Sequence, residues 1–246
     1  MFNGYVSVVR FEGEIESDFY LKDIPAVRYL MEKRKLEFSK NVSIFVGENG
    51  TGKSTLLEAI AVAFGFNAEG GTVNFNFSTK NTHSQLYRNL RIGKKSYPKD
   101  GFFLRAESIY NVASNLDSLY SSEFAHGADT PYGSVSLHEQ SHGESFMSII
   151  TKRFRGQGLY ILDEPEAALS PMRMLELMAV INELVKDGSQ FIISTHSPIL
   201  MAFPGADVFE LSEKGIEKVS YDETEHFTLT KQFLENPERM FKYLFE

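Results

Sequence analysis

The sequence contains neither cysteine nor tryptophan among its 246 residues. The lack of thiols excludes disulfides and thiolate metal sites, and it fits a reducing cytosol. No run of about 18 apolar residues occurs, so we expect no membrane insertion. The first ten residues also lack the basic start and the unbroken apolar stretch of a signal peptide. We therefore expect a cytoplasmic protein.

Positive charge is also scarce, since the formal net charge is −8 at pH 7. A surface that binds nucleic acid needs clustered Lys and Arg to neutralise phosphates. Two basic clusters occur, at residues 33–35 and 91–99, and such runs are commonly solvated surface. The composition is therefore compatible with a nucleic-acid partner but does not demand one.

The first third of the chain reads mostly as strands, at residues 5–9, 36–38 and 42–46. A helix follows the third strand, because apolar residues recur with helical spacing at Leu56, Leu57, Ile60 and Phe64. Apolar runs at 159–162 and 190–194 predict two more buried strands, and Ser170-Pro171 predicts a helix between them. A strand, a helix and a strand with short connections form a βαβ unit of a parallel sheet.

The middle of the chain is less regular. A polar, Asn-rich segment is followed by a predicted helix at 84–91, a strand at 102–104 and a largely helical stretch at 107–124. We interpret residues 67–140 as an inserted, partly helical subdomain of a single domain that spans residues 1–246.

The segment between the strand at 42–46 and the helix behind it matches the pattern G-x-x-x-x-G-K-[ST]. Its glycines let successive backbone N–H groups converge on phosphate oxygens, and the helix N-terminus adds partial positive charge. We predict that Lys53 pairs with the β- and γ-phosphates of ATP, that Ser54 holds Mg²⁺ and that Thr55 contacts the α-phosphate. The predicted ATP-binding residues are Gly47, Glu48, Asn49, Gly50, Thr51, Gly52, Lys53, Ser54 and Thr55.

The strand at 159–162 ends in two carboxylates, Asp163 and Glu164. A rigid strand tip beside a phosphate loop is what a Walker B segment requires. We predict that Asp163 holds Mg²⁺ and that Glu164 orients and polarises the attacking water as a general base.

Three further segments resemble those of ABC-type ATPases. Residues 163–171 resemble the Walker B and D-loop of that family, residues 194–196 its switch histidine and residues 140–144 its signature motif. The signature ends in Gly-Glu, which resembles the branch of SMC-, RecF- and OLD-type ATPases, and most closely its small stand-alone predicted ATPases. The resemblance implies an α/β P-loop NTPase fold, with a mixed sheet that has a parallel core flanked by helices, plus a small helical insert.

The resemblance also implies that two copies of the chain sandwich ATP, so that dimerisation is the switch. Ser141 and the N–H of Gly143, in a signature that ends at Glu144, would reach the γ-phosphate held by the other copy. His196 would contact that phosphate from within its own subunit. Together with Lys53 and Glu164, His196 completes the predicted catalytic set.

Several positions depart from the family pattern or stay open. His142 replaces the first glycine of the usual signature pair. The glutamine of the Q-loop is not evident; Glu107 occupies the expected place, near Mg²⁺, and Gln85 is the other candidate. The aromatic residue that stacks on adenine is Tyr20 or Tyr29.

Residues 138–142 also match H-E-x-x-H, the pattern of zinc proteases. Zinc binding needs both histidines on one continuous helix, whereas Gly143 is a poor residue for a helix interior. We therefore treat this match as a chance overlap with the signature. The remaining histidines, His83, His126 and His226, have no evident partner in the sequence.

Three functional classes follow. The first is a stand-alone ATPase that works as an ATP-driven homodimer on an unidentified macromolecular partner. The second is the ATP-binding subunit of a membrane transporter. The third is an ATP sensor without hydrolysis, which turnover assays distinguish from the first.

Overall fold

The computed structural model describes residues 2–15, 20–72, 84–109 and 141–245. Within these ranges the chain forms two sheets and seven α-helices. The helices are Pro25–Lys33 (α1), Lys53–Phe64 (α2), His142–Arg153 (α3), Pro171–Lys186 (α4), Pro198–Met201 (α5), Glu225–Glu235 (α6) and Pro237–Phe245 (α7). The strands are Val8–Phe11 (β1), Lys35–Glu37 (β2), Val42–Gly47 (β3), Leu90–Gly93 (β4), Asp100–Arg105 (β5), Gly158–Asp163 (β6), Gln190–Ser194 (β7), Asp207–Ser212 (β8) and Gly215–Val219 (β9).

The larger sheet has six strands in the order β5-β6-β7-β3-β8-β9. All neighbours are parallel except β8 and β9, which form an antiparallel hairpin. Helix α4 connects β6 to the parallel strand β7, so the predicted βαβ unit is confirmed. The mixed sheet with a parallel core and flanking helices confirms the predicted fold class.

Helices cover both faces of this sheet, so its central strands are buried without polar alternation. On one face, Ile44 and Tyr160 pack in a core with residues of α3, α4 and α5. On the other face, Phe45 and Ile161 pack with residues of α1 and α2. The carboxyl ends of β3, β6 and β7 therefore lie on a rigid, doubly covered platform.

A smaller antiparallel sheet in the order β2-β1-β4 joins the second core. Val9 and Leu90 bury one face of it against the helices. On the other face Arg10 is paired in register with Lys35 on one side and Arg91 on the other, and all three side chains are exposed.

Two predictions about elements are wrong. The helix expected at 84–91 is a short 3₁₀ turn at Gln85–Asn89, which leads into strand β4. Helix α1 lies in the part of the chain that we read as strands. The first strand is also shifted, to Val8–Phe11.

The insert expected at 67–140 falls mainly on residues outside the described ranges, so it stays a prediction there. Within that span, residues 90–93 and 100–105 differ from it, because they supply β4 and β5 to the two sheets. Among the described residues, no helix combines the length and the apolar character that crossing a bilayer requires.

Candidate active site

The loop between β3 and α2 has the backbone of an anion-binding turn. Gly47, Gly50 and Gly52 have positive φ angles of 137°, 85° and 98°, which side-chain-bearing residues rarely adopt. A Cβ at Gly47 would lie 2.2 Å from the carbonyl oxygen of Leu211. A Cβ at Gly50 would meet nothing within 4 Å. The loop is therefore held tightly against β8 at its start and open at its centre.

Lys53 lies under this loop, with only 4% of its surface exposed. Its Nζ donates hydrogen bonds to the carbonyl oxygens of Gly47, at 2.8 Å, and Glu48, at 3.2 Å. Burial lowers the pKa of Lys53, while the carboxylates of Glu164 and Asp163 oppose that shift. The ammonium group is thus held by two backbone dipoles at the point where the sequence predicts triphosphate. Ser54 and Thr55 follow it, half-buried, in the first turn of α2.

Asp163 ends β6 and is buried. Strand β7 separates β6 from β3, so the carboxylate is two strands from the glycine-rich loop instead of on the adjacent strand. The hydroxyl of Ser194, at the end of β7, donates to Oδ1 of Asp163 at 2.5 Å. Nε of Arg105 lies 3.3 Å from Oδ2, and Nη1 of the same guanidinium lies 2.8 Å from Oε2 of Glu58. These contacts fix the carboxylate at the sheet edge.

Glu164 has the left-handed backbone conformation, with a φ of 49°. Its N–H donates to the carbonyl oxygen of Ser194, at 3.2 Å, and to the Ser194 hydroxyl, at 3.1 Å. Burial and the charge of Asp163 raise the pKa of Glu164, and Lys53 opposes the shift. A raised pKa brings a carboxylate closer to the value at which it can accept a proton near neutral pH.

His196 follows β7 and faces Glu164, with 3.5 Å between Nε2 and Oε1. Burial, the charge of Lys53 and the neighbouring His226 lower the pKa of His196 to about 4. The ring is therefore neutral at pH 7. The structure thus brings Lys53, Glu164 and His196 together, as the sequence predicts for the catalytic set.

Two sets of contacts made by the segment after β7, at Thr195 and His196, were not predicted from the sequence. Nδ1 of His196 lies 2.9 Å from Nε2 of His226, to which the sequence assigned no partner. Glu166 accepts hydrogen bonds from the backbone N–H of His196 and, at 2.8 Å, from the hydroxyl of Thr195. The Asp-Glu-Pro-Glu run could have indicated Glu166. No local pattern indicates His226, since α6 brings it to the site from 30 residues away.

The predicted signature residues form the start of α3. Ser141 and Glu144 make a capping box: Oγ of Ser141 accepts from the Glu144 N–H at 3.4 Å, and the Glu144 carboxylate accepts from the Ser141 N–H at 3.0 Å. The Ser141 hydroxyl donates to the same carboxylate at 2.7 Å, which lowers the pKa of Glu144. A Cβ at Gly143 would lie 2.9 Å from the carbonyl oxygen of Ala168, so a glycine is required for this approach. These hydrogen bonds join the polar groups of Ser141 and Glu144 to each other at the N-terminus of α3.

The capping box also bears on the zinc-protease pattern. Ser141 has an extended backbone, with φ −63° and ψ 156°, so the helix that carries His142 begins at that residue. His138, Glu139 and the histidines at 83 and 126 lie outside the described residues.

The alternatives left open for the Q-loop residue and for the adenine-stacking residue lie in different parts of the structure. Glu107 lies in the 3₁₀ turn after β5, and its charge contributes to the raised pKa of Glu164. Gln85 begins the 3₁₀ turn that leads into the smaller sheet. Tyr29 packs its ring against Gly215 in the hairpin, whereas Tyr20 is 62% exposed.

The donor set fits a magnesium nucleotide. Carboxylate and hydroxyl oxygens are the ligands that Mg²⁺ prefers, and it is commonly held by one or two carboxylates plus substrate phosphates. Asp163 and Ser54 are donors of this kind. Among the residues the structure describes, no group of three or more acidic or histidine side chains is arranged to hold a metal ion.

Comparison with known proteins gives two family matches. Residues 24–163 match a family described as "AAA domain", and residues 126–202 match "AAA domain, putative AbiEii toxin, Type IV TA system".

Curated relatives are ATP-binding proteins. The nucleoside import ATP-binding protein NupA of Lactococcus lactis is 28% identical over 184 residues, which are 67% of this chain and 35% of that protein. The cytochrome c biogenesis ATP-binding export protein CcmA of Aliivibrio fischeri is 26% identical over 184 residues, 71% of this chain and 88% of that protein. The chain spans between 34% and 44% of the length of the first three curated relatives it matches.

Among solved structures, cbiO1 from Clostridium perfringens, part of the ABC transporter complex cbiONQ, has a TM-score of 0.48 and 18% sequence identity. The match covers 98% of this chain and 100% of that chain.

Proposed function

The chain belongs to the AAA domain family. On that premise we propose that it is an ABC-type P-loop ATPase that hydrolyses MgATP and works as an ATP-driven dimer switch on a macromolecular partner. The observation that carries the proposal is the meeting of three elements at one sheet edge. The open glycine loop follows β3, Asp163 and Glu164 lie at the end of β6, and His196 follows β7. A phosphate cradle, a metal ligand, a base and a neutral donor are the groups that phosphoryl transfer to water uses.

Binding begins with the loop. The γ- and β-phosphates take the place of the carbonyl oxygens of Gly47 and Glu48 as partners of the Lys53 ammonium. The open space at Gly50 admits the phosphate oxygens, and the first N–H groups of α2 donate to them. Ser54 and Asp163 would hold Mg²⁺, with Glu107 as a further candidate ligand, and the bound ion would supply positive charge beside the phosphate oxygens.

Hydrolysis then depends on Glu164 and His196. A water attacks the γ-phosphorus, its proton passes to the Glu164 carboxylate, and ADP leaves with the bridging oxygen. Desolvation of Glu164 supports its role as a base, because it raises the carboxylate pKa. His196 donates from Nε2 to a γ-phosphate oxygen.

A second copy of the chain completes the site. Ser141 and the Gly143 N–H of that copy reach the γ-phosphate from the far side. In the single chain the Ser141 hydroxyl donates to Glu144 at 2.7 Å, so it must exchange this acceptor for a phosphate oxygen in the dimer. A single chain therefore hydrolyses ATP slowly.

A second candidate is the ATP-binding subunit of a transporter. The curated relatives favour it, since their names describe import and export ATP-binding proteins. A membrane-bound partner that co-purifies with the chain from its native cell supports this candidate. A complex without any membrane protein supports the first.

The test is the variant Glu164→Gln, which keeps the shape of the base but cannot accept the proton. We expect it to bind ATP, to lose turnover and to run as a dimer on size exclusion with MgATP, but as a monomer with ADP. The matched control is Lys53→Ala/Glu164→Gln, which lacks the phosphate contact and should stay monomeric. A Glu164→Gln protein that stays monomeric with ATP and hydrolyses it at the wild-type rate contradicts the proposal.

A further inference from the structure

His226 is the unexpected member of the site. It lies in the first turn of α6, and its Nε2 is 2.9 Å from Nδ1 of His196, which is hydrogen-bonding distance. The ring centroids are 5.0 Å apart and tilted by 53°, so the contact is edge-on at the nitrogens instead of a stack. One of the two nitrogens must therefore carry the proton that the other accepts.

Two carboxylates decide which nitrogen carries it. Oε1 of Glu164 is 3.5 Å from Nε2 of His196, and Oε1 of Glu48 is 3.9 Å from Nε2 of His226. Each carboxylate favours an N–H on the nitrogen that faces it. If His196 instead donated from Nδ1, its Nε2 would present a lone pair to Glu164, which is repulsive. The favoured arrangement has N–H groups at both Nε2 atoms, with His226 as donor and Nδ1 of His196 as acceptor.

In this arrangement the buried Nε2–H of His196 lacks an acceptor within the described part of the chain. Nε2 of His196 and Nδ1 of His226 are both inaccessible to solvent and have no hydrogen-bond partner among the described residues. A buried N–H without an acceptor is costly, so Nε2 of His196 is poised for an incoming anion.

Resting on the proposed function, we propose that His226 is a positioning residue for His196: it donates to Nδ1 and so keeps the Nε2–H of His196 directed at the γ-phosphate of ATP. The Glu48 carboxylate, 3.9 Å from Nε2 of His226, favours the proton on that nitrogen. The Nε2–H of His226 donates to His196, and the Nε2–H of His196 donates to the γ-phosphate, which makes a chain of two hydrogen bonds. It couples α6 to the presence of the γ-phosphate, because ADP offers no acceptor to His196.

Among the described residues, the helix that carries His226 makes few other contacts with the rest of the chain. Its N-cap, Thr224, is buried and donates to the carbonyl oxygen of Tyr221 at 2.7 Å, and the Glu225 N–H donates to the Glu210 carboxylate at 3.0 Å. Beyond His226 and Phe227, α6 is exposed along its length, and α7 is mostly exposed. The histidine pair is therefore a principal contact between the nucleotide site and the C-terminal helices.

The test compares three variants. His226→Phe keeps a ring but removes both nitrogens, His226→Gln keeps a donor near the position of Nε2, and Thr230→Ala changes an exposed residue of the same helix as a control. We expect His226→Phe to lower kcat about tenfold with unchanged ADP affinity, and His226→Gln to retain most of the turnover. In a His196→Asn background, His226→Phe should have no further effect.

A second measurement is independent of turnover. Nitrogen-15 NMR of the histidine rings, assigned with His196→Asn, should show His196 protonated at Nε2 in the wild type and a mixture of tautomers in His226→Phe. Wild-type turnover in His226→Phe, equal losses in the Phe and Gln variants, or an Nδ1-protonated His196 overturns the proposal. If the wild type proves inert with MgATP, the proposed function fails, and the NMR result alone then decides whether His226 orients His196.

Discussion

Glu164 combines a strained backbone with a functional side chain. A non-glycine residue in the left-handed region costs about 1–2 kcal/mol, and this strain persists only where the surroundings enforce it. Two hydrogen bonds hold Glu164 in this conformation, because its N–H donates to both the carbonyl and the hydroxyl oxygen of Ser194. The turn directs the carboxylate away from the end of β6 and towards His196.

The lowered pKa of His196 predicts a pH dependence of stability. Its pKa is about 4 in the folded chain and about 6.5 when unperturbed. Between these values the unfolded chain binds a proton at this ring that the folded chain does not. The folded state therefore loses stability as the pH falls below about 6.5, and the ring has no effect at higher pH.

Urea unfolding of the wild type and of His196→Asn, at pH 7.5 and at pH 5.5, measures this effect. We expect the wild type to lose about 0.5–1 kcal/mol more than the variant between the two conditions. This is below the full linkage value of about 1.4 kcal/mol per pKa unit, because the side chain is 27% exposed and solvent screens its charge. Other groups titrate in both proteins, so the difference isolates His196. An identical loss in both proteins contradicts the prediction.

At the scale of single elements, Arg105 joins three of them. It stands at the end of β5 and pairs with Glu58 of α2 and Asp163 of β6, and all three side chains are largely buried, at 21%, 12% and 5% exposure. Removing one partner of a buried ion pair leaves an uncompensated charge. The guanidinium therefore ties the helix behind the glycine loop to the strand that carries Asp163.

We predict that Arg105→Leu lowers the free energy of unfolding by about 3 kcal/mol, because two buried carboxylates lose their counter-charge. The matched control is Arg28→Leu, whose pair with Glu213 is exposed and should contribute less than about 1 kcal/mol. Adding Glu58→Leu to Arg105→Leu should recover part of the loss. Denaturant unfolding in which the Arg105 and Arg28 variants behave alike would show that the buried cluster contributes nothing.

The elements that the sequence predicted are those with strong local signals. Strands β3, β6 and β7 are short and mainly apolar. Helix α4 begins directly after the predicted N-cap, Ser170, whose Oγ accepts from the Arg173 N–H at 3.4 Å. The smaller sheet was harder to predict because β1, β2 and β4 are only three or four residues long and expose charged residues. Propensity is weak over such lengths, and tertiary pairing decides the outcome.

The residues of the candidate site also fall into those that local motifs predict and those that only tertiary packing brings to the site. The glycine loop and the Asp163-Glu164 pair are each a short contiguous motif, so they could be predicted from the sequence. His226 and Arg105 could not, because each reaches the site through packing between elements distant in sequence. Sequence motifs thus predict the groups that we propose bind the nucleotide, but not the groups that hold them in place.

At the scale of the whole molecule, the proposed dimer predicts that two inactive chains complement each other. Lys53→Ala removes the phosphate contact but keeps the signature. Gly143→Arg blocks the signature but keeps the phosphate loop. A mixed dimer of the two has one intact site, formed by the loop of one chain and the signature of the other.

We expect each variant alone to be inactive, and their mixture to regain roughly a quarter of wild-type turnover if half of the dimers are mixed and each has one working site of two. The matched control mixes Lys53→Ala with Lys53→Ala/Gly143→Arg, which offers no intact pairing. An inactive first mixture, from variants that each melt like the wild type, argues against shared sites.

The order of strands in the larger sheet limits how early β3 can pair with its neighbours during synthesis. The strand that carries the glycine loop, β3, ends at Gly47 and is flanked by β7 and β8. These two strands begin 143 and 160 residues later, at Gln190 and Asp207. A growing polypeptide therefore cannot seat its phosphate loop until residues up to Ser212 have left the ribosome. Until residue 194 has emerged, the apolar strand β3 lacks both neighbours, which exposes the nascent chain to aggregation.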